Sequence, residues 1–258
     1  MTNIPLGLQL YSVRHDLADD LVGTIKAAAN MGYVGVEFFG PPQHSAAELK
    51  TILDDNGLVC CGWHTPFTHV QDEKLEETIA FNQTLDNKYV IVPGIPAEHR
   101  QSGDDWRKLA DFFNQVADKL AVHGMVTGYH NHHIEFADLD GEKPWDTFFS
   151  NTNAPIVMQL DTGNAILGGG DVIDIVKKYS GRATTVHLKP YSHTAAKDDP
   201  HHGFRPVIGD DETDWPGFFE ACETVGGTEW YIVEYESDAY PPLEAVDLCL
   251  QNLKKMGK

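Results

Sequence analysis

WRKLADFFNQVADKLAVHGMVTGYHNHH, residues 106–133, contains one complete passage from helix to strand. Leu109, Phe112, Phe113, Val116 and Leu120 recur at helical spacing and predict an amphipathic helix over Trp106–Val122. Gly124 stands where a helix ends on a left-handed residue. The apolar run Met125–His130 then predicts a strand, and it leads straight into Asn131, His132 and His133. Working outward, the same alternation recurs. Further strands are expected at Leu6–Leu10, Val34–Phe38, Leu58–Trp63, Tyr89–Val92, Ile156–Leu160, Thr184–Leu188 and Trp230–Glu234. Helices are expected at Leu21–Asn30, Ala46–Asp55, Leu75–Leu85, Pro144–Phe149, Val172–Tyr179, Trp215–Val225 and Leu243–Leu253. Strands alternating with helices imply parallel pairing through right-handed crossovers. The fold class is therefore α/β, a (β/α)₈ TIM barrel, with residues 1–258 as one domain; such barrels run to about 250 residues. The alternative, an open doubly wound sheet, calls for a glycine-rich phosphate turn after the first strand. Tyr11-Ser12-Val13-Arg14 stands there instead, and the run Gly168–Gly170 is given no nucleotide role.

Composition narrows the function classes. With 39 acidic against 19 basic residues the formal charge is −20, which opposes binding to phosphate backbones and anionic membranes. No nucleic-acid or membrane partner is expected. No apolar segment reaches the ~20 residues of a membrane helix, and the N-terminus does not follow the signal-peptide pattern, so a cytoplasmic protein is expected. Cys60, Cys61, Cys222 and Cys249 form neither a CxxC pair nor a disulfide framework and are expected as buried free thiols.

In a barrel of this kind the chemistry sits at the C-terminal ends of the strands. Six of those ends carry His, Asp or Glu: Glu37, His64, His130 with His132, Asp161, His187 followed by Lys189, and Glu234. Taken alone, His64 reads as a satisfied core histidine and Glu37 as half of an ion pair. Gathered at one end of a core, such groups repel one another and are costly to desolvate. A divalent cation resolves that conflict. Mixed imidazole and carboxylate ligands suit Mn²⁺, Zn²⁺, Co²⁺ or Fe²⁺ better than Ca²⁺, with Mg²⁺ as a further option. No GxSxG elbow, P-loop or zinc-finger spacing is present.

Gly7–Arg14, Gly32–Glu37, Trp63-His64, Tyr129–His132 with Glu135-Phe136, Leu160–Asn164, His187–Lys189 and Val233-Glu234 together resemble the xylose isomerase-like TIM barrel superfamily, often described as sugar phosphate isomerases/epimerases. The resemblance implies one divalent metal held from the fifth to the eighth strands. By position the ligands are His130, Asp161, His187 and Glu234, with His130 standing where relatives carry Glu and His132 as the other fifth-strand choice. It also implies a small carbohydrate substrate and association as a homodimer or homotetramer. The implied activity is isomerisation or epimerisation of a sugar or sugar-derived keto compound by proton abstraction beside a carbonyl, through a metal-stabilised enediolate. Glu234 is the expected base, with His130 or His132 opposite. Glu37, His64, Lys189, Glu135 and Trp63 are the expected substrate contacts, with Phe38 and Phe67 joining Trp63 as an apolar wall. Because His130 breaks the two-carboxylate symmetry, a dehydratase or lyase acting on a keto-inositol or 3-keto-glycoside is the alternative. An endonuclease IV-like phosphodiesterase ranks below both, because Asn164 replaces a histidine of that site and the charge opposes DNA.

Overall fold

The computed structural model describes residues 4–258. The expected domain begins at Met1, and residues 1–3 lie outside the described residues. Eight parallel strands close into a barrel in chain order, β1 pairing with both β2 and β8. They are β1 (Leu6–Gln9), β2 (Gly35–Phe39), β3 (Val59–His64), β4 (Tyr89–Val92), β5 (Val126–His130), β6 (Val157–Asp161), β7 (Thr185–Leu188) and β8 (Trp230–Val233). The outer helices are α1 (Arg14–Asp19), α2 (Leu21–Met31), α3 (Ala46–Asp55), α4 (Asp72–Thr84), α5 (Gly103–Ala121), α6 (Pro144–Asn151), α7 (Thr162–Leu167), α8 (Val172–Lys178), α9 (Trp215–Ala221) and α10 (Pro242–Lys255).

The helices begin and end where local chemistry sets them. Asp20 caps α2 by accepting from Gly23 N at 2.9 Å, and Gly32, at φ 107°, closes it in the left-handed region that favours glycine. Ser102 caps α5, whose first turn carries Asp104 and Asp105 and whose last carries Lys119, in keeping with the helix dipole. The stripe read from the sequence is what α5 buries. Trp106 and Phe113 pack with Tyr129 of β5 and Phe148 of α6, with ring centroids 5.0–6.3 Å apart. This aromatic cluster pins the strand that delivers His130.

Every expected strand is present with its ends displaced by one residue at most. The helices differ more. The segment expected as Trp215–Val225 is α-helical only to Ala221 and finishes as a π-helical turn, Cys222–Gly226. Two short helices, α1 and α7, have no counterpart in the expectation, since six residues are too few to show a helical period. The glycine run after α7 has a packing reason: a Cβ on Gly168 would stand 2.5 Å from the His133 carbonyl oxygen. All four cysteines are buried and free, as expected. No described helix is long and apolar enough to cross a membrane.

Candidate metal centre

Strand alternation sends every second side chain into the barrel. Gln9 from β1, Glu37 from β2, Gln159 from β6 and Thr185 from β7 form a polar layer with no solvent exposure. Glu37 is the hub. Gln9 Nε2 donates to its Oε2 at 2.6 Å, and Gln159 Nε2 donates to its Oε1 at 2.8 Å. His187 Nε2 donates to its Oε2 at 2.6 Å. The neighbouring strand makes room for it: a Cβ on Gly62 would lie 2.4 Å from Glu37 Oε1. A bulge between Val36 and Glu37 sets Glu37 beside Gly62.

Immediately above lie four residues from consecutive strand ends: His130, Asp161, His187 and Glu234. Each offers a ligand atom, and these atoms all lie within 4.8 Å of one another. His187 Nδ1 faces Glu234 Oε2, and His130 Nε2 is 4.0 Å from Asp161 Oδ2. Asp161 divides its carboxylate. Its Oδ1 accepts from Asn164 N at 2.7 Å, capping α7, while its Oδ2 is buried and meets no hydrogen-bond partner among the described residues. An unpartnered buried carboxylate oxygen is costly, and a cation is its natural complement. Neutral His130 and the two carboxylates also form a donor set of the mixed type that Mn²⁺, Zn²⁺, Co²⁺ and Fe²⁺ accept. The residues therefore fit a divalent ion.

The proton affinities show the same strain. Burial raises Asp161, Lys189 opposes and Glu234 adds to it, carrying the carboxyl up to about 7. Burial alone would lower His187, but Glu37 and Glu234 outweigh it and carry the imidazolium up to about 10. Burial, aided by the neighbouring His187 and His64, pushes His130 well below its ordinary value and keeps it neutral. Glu234 has the opposite balance: burial would raise it, yet Lys189 and His187 hold it well below the usual carboxylate range.

A cleft of 590 Å³ opens above the cluster. Tyr11, Phe39, Phe67 and Ile95 give it apolar surface, and His64, His130, His132, Glu234 and Glu236 give it polar groups. Among the described residues no lysine or arginine lines it. The volume suits a small organic ligand.

Several expected substrate contacts stand elsewhere. Glu37 is wholly buried beneath the donors with both oxygens engaged, so its place is below the mouth. Trp63 is buried outside the cleft, stacked on Phe38 at 4.9 Å and donating from Nε1 to Gly40 O at 2.8 Å. Glu135 is buried too. Its Oε1 accepts from Tyr129 OH at 2.6 Å and its Oε2 from His132 N at 2.8 Å, fastening the loop that presents His132. Lys189 pairs with Glu236 and lies 3.3 Å from Glu234 Oε1 and 3.9 Å from Asp161 Oδ2, so it belongs to the mouth carboxylates. Phe67 and His64 do line the cleft. His132 is exposed at the rim, with its ring 5.5 Å from that of His130. The polar layer of Gln9, Gln159 and Thr185 was not anticipated. The signal for Gln159 was present: it lies two residues before Asp161 and so on the same face of β6.

A closed parallel barrel with buried imidazoles and carboxylates at its C-terminal mouth is an enzyme scaffold whose polar cluster could hold a metal ion. The chain belongs to the xylose isomerase-like TIM barrel family, whose model matches residues 25–256. It is 29% identical over 242 residues to an inosose dehydratase of Lacticaseibacillus casei, covering 80% of this chain and 79% of that protein. The fold matches a sugar phosphate isomerase/epimerase from Parabacteroides distasonis with a TM-score of 0.82 and 22% identity, covering 98% of both chains. It also matches the IOLI protein, solved with a bound zinc atom, with a TM-score of 0.72 and 15% identity over 98% of this chain and 97% of that one.

Proposed function

We propose that this protein is a divalent-metal-dependent enzyme that removes a proton beside the carbonyl of a sugar or sugar-derived keto compound. The observation that carries this reading is the four-donor cluster, with Asp161 Oδ2 left unpartnered inside it. His130, Asp161, His187 and Glu234 would hold the ion. When bound, it supplies Lewis acidity to a carbonyl oxygen and so acidifies the neighbouring C–H. The zinc reported for the IOLI protein and the sugar-linked names of the relatives support both parts of the reading.

The chain's own residues divide the proton work. Glu234 stays ionised because Lys189 and His187 outweigh its burial, and it lines the cleft, so it is the group placed to take the substrate proton. His130 commits Nδ1 to Gln159 and turns Nε2 toward Asp161, which leaves it no nitrogen for exchange with substrate. Proton transfer on the opposite face therefore falls to His132, whose backbone is fixed by Glu135. The apolar side chains of Tyr11, Phe39 and Phe67 would lie against the sugar and shield the reacting carbon from water. The acidic, lysine-free and arginine-free lining favours an uncharged substrate over a phosphosugar.

Two fates share this first step. Returning the proton gives isomerisation or epimerisation; expelling a β-substituent gives dehydration or β-elimination. The second fate is favoured by the departure at His130, which removes a carboxylate base, and by the likeness to inosose dehydratases. Keto sugars and inososes incubated in deuterated water and followed by NMR test both. Deuterium should enter the carbon beside the carbonyl, and Glu234→Gln should lower the rate by about 10²-fold or more. Undiminished exchange in that variant would remove Glu234 as the base, and full turnover after chelation would remove the metal.

A further inference from the structure

The described residues offer two overlapping clusters for a cation: His130 with Asp161, His187 and Glu234, or the three histidines His64, His130 and His187. The three rings meet face to face and edge to face, with centroids 4.6–5.0 Å apart. Which cluster binds depends on which ring nitrogens carry hydrogen, because an N–H cannot be a ligand.

The hydrogen bonds decide that question from below. Glu37 is a carboxylate and can only accept. Gln159 must therefore turn its NH₂ toward Glu37 Oε1, at 2.8 Å, and toward Thr185 Oγ1, at 3.1 Å. Its carbonyl oxygen is then committed to the other side. There Gln159 Oε1 lies 2.7 Å from His64 Nε2 and 3.1 Å from His130 Nδ1. An amide oxygen accepts only, so both of those nitrogens carry hydrogen. Glu37 Oε2 acts directly on the third ring, accepting from His187 Nε2 at 2.6 Å. The nitrogens left for an ion are Nε2 of His130, which faces Asp161, and Nδ1 of His187, which faces Glu234 and must give up its hydrogen before it can bind. His64 spends its Nε2 hydrogen on Gln159 and Glu37, so that nitrogen has no lone pair for an ion.

We propose that Glu37, directly and through the Gln159 amide, holds hydrogen on Nε2 of His187, Nδ1 of His130 and Nε2 of His64 and thereby selects the four-donor cluster as the cation site, keeping His64 Nε2 from serving as a ligand. Glu37 and Gln159 are positioning residues in this scheme. Orientation of ligand histidines by their other ring nitrogen is a general device in metal sites. Here one carboxylate governs three rings: it meets His187 at 2.6 Å and His64 at 3.3 Å, and reaches His130 through the amide. The arrangement also accounts for a glutamine with no solvent exposure in the middle of a barrel strand. The choice of cation site rests on the metal reading above; the tautomers of His130 and His64 are properties of the metal-free chain.

Two-bond ¹H–¹⁵N spectra of the metal-free, ¹⁵N-histidine-labelled protein test the proposal, with signals assigned by single histidine-to-glutamine variants. His130 should be protonated at Nδ1 and His64 at Nε2. The protein should bind one Co²⁺ per chain, and His64→Gln should leave that stoichiometry and the cobalt absorption spectrum unchanged. Gln159→Leu should release the His130 tautomer and weaken Co²⁺ binding by about 10–100-fold. A proton on Nε2 of His130, or a second ion lost on replacing His64, overturns the proposal, and neither result depends on the Gln159 variant folding. Correct tautomers with no ion bound would strike the metal reading and the site selection, while the tautomer assignment would stand.

Discussion

Ion binding should release a proton from His187 and grow stronger with pH. In the metal-free protein both ring nitrogens of His187 face carboxylates, Glu37 and Glu234, and the imidazolium persists up to about pH 10. A ligand must offer a lone pair, so binding at about pH 8 has to expel this proton against a gap of about two units, or about 3 kcal/mol. Below about pH 7 Asp161 must lose a proton as well. Affinity should then rise about tenfold per pH unit between about pH 7.5 and 9, and more steeply below that window. Calorimetric titration with Co²⁺ in two buffers of unlike ionisation enthalpy measures the protons directly. One should be released per ion at about pH 8 and two at about pH 6. The metal-free fold follows the same logic. The folded pKa of His187 lies above its unfolded value, so its contribution to stability is complete below about pH 6.5 and is lost as pH rises toward 10. Ionisation of Asp161, raised to about 7, acts in the same direction at lower pH. The metal-free protein should therefore become less stable from pH 7 to 10 while the loaded protein does not. Affinity independent of pH, with no proton released at about pH 8, would refute the assignment of His187 as a ligand through Nδ1.

Three further outcomes follow from single side chains. Gly62→Ala places a Cβ 2.4 Å from Glu37 Oε1 and should lower stability by about 1–3 kcal/mol and weaken ion binding, read by thermal unfolding and calorimetry. Tyr129→Phe removes the 2.6 Å hydrogen bond to Glu135, whose other oxygen holds His132 N; a loss of about 1–3 kcal/mol and a raised KM are expected, against a Co²⁺ affinity that stays constant. Arg182 binds the carbonyls of Phe149 and Ile156 and the hydroxyl of Thr152, away from the mouth, so Arg182→Leu should lower the thermal midpoint without altering ion affinity or turnover.

The fold is legible in the sequence because each barrel strand is a short apolar run stopped by a polar residue, and the helix–strand period repeats over the whole chain. Asp161, His187 and Glu234 stand out for the same reason: a charged group directly after a buried strand is costly unless it meets an ion, a partner or a ligand. Two kinds of feature are not visible. One is depth. Glu37 closes its strand as Asp161 does, yet a bulge and Gly62 let it sink into a layer below the donors, and register between strands is absent from a linear reading. The other is lateral contact. Trp63 follows an apolar run in the same way as the mouth residues, but its ring turns outward against Phe38 and Phe81. Gln159 stays hidden because an uncharged amide inside an apolar run reads as an exception to the pattern; its meaning depends on Glu37, which is 122 positions away.

The histidine on the fifth strand draws these observations together. Around the cluster, the donors contribute two carboxylates and two imidazoles, so a dication balances the donor charge. A third carboxylate at position 130, as the resemblance would have it, would leave the site negative and its ion a weaker electrophile. It would also set an acceptor against Gln159 Oε1, where the structure has an N–H. His130 and Gln159 therefore belong together: the imidazole suits the amide beneath it, and the amide turns the imidazole's lone pair toward Asp161. On the proposed function, the consequence would be a site with greater capacity to polarise a carbonyl and one carboxylate base fewer. That trade favours reactions in which one proton is removed and a group leaves, over those that must return a proton symmetrically to the opposite face. His132, held at the rim by Glu135 and open to the cleft, would on that reading be the group on which the remaining choice of product depends.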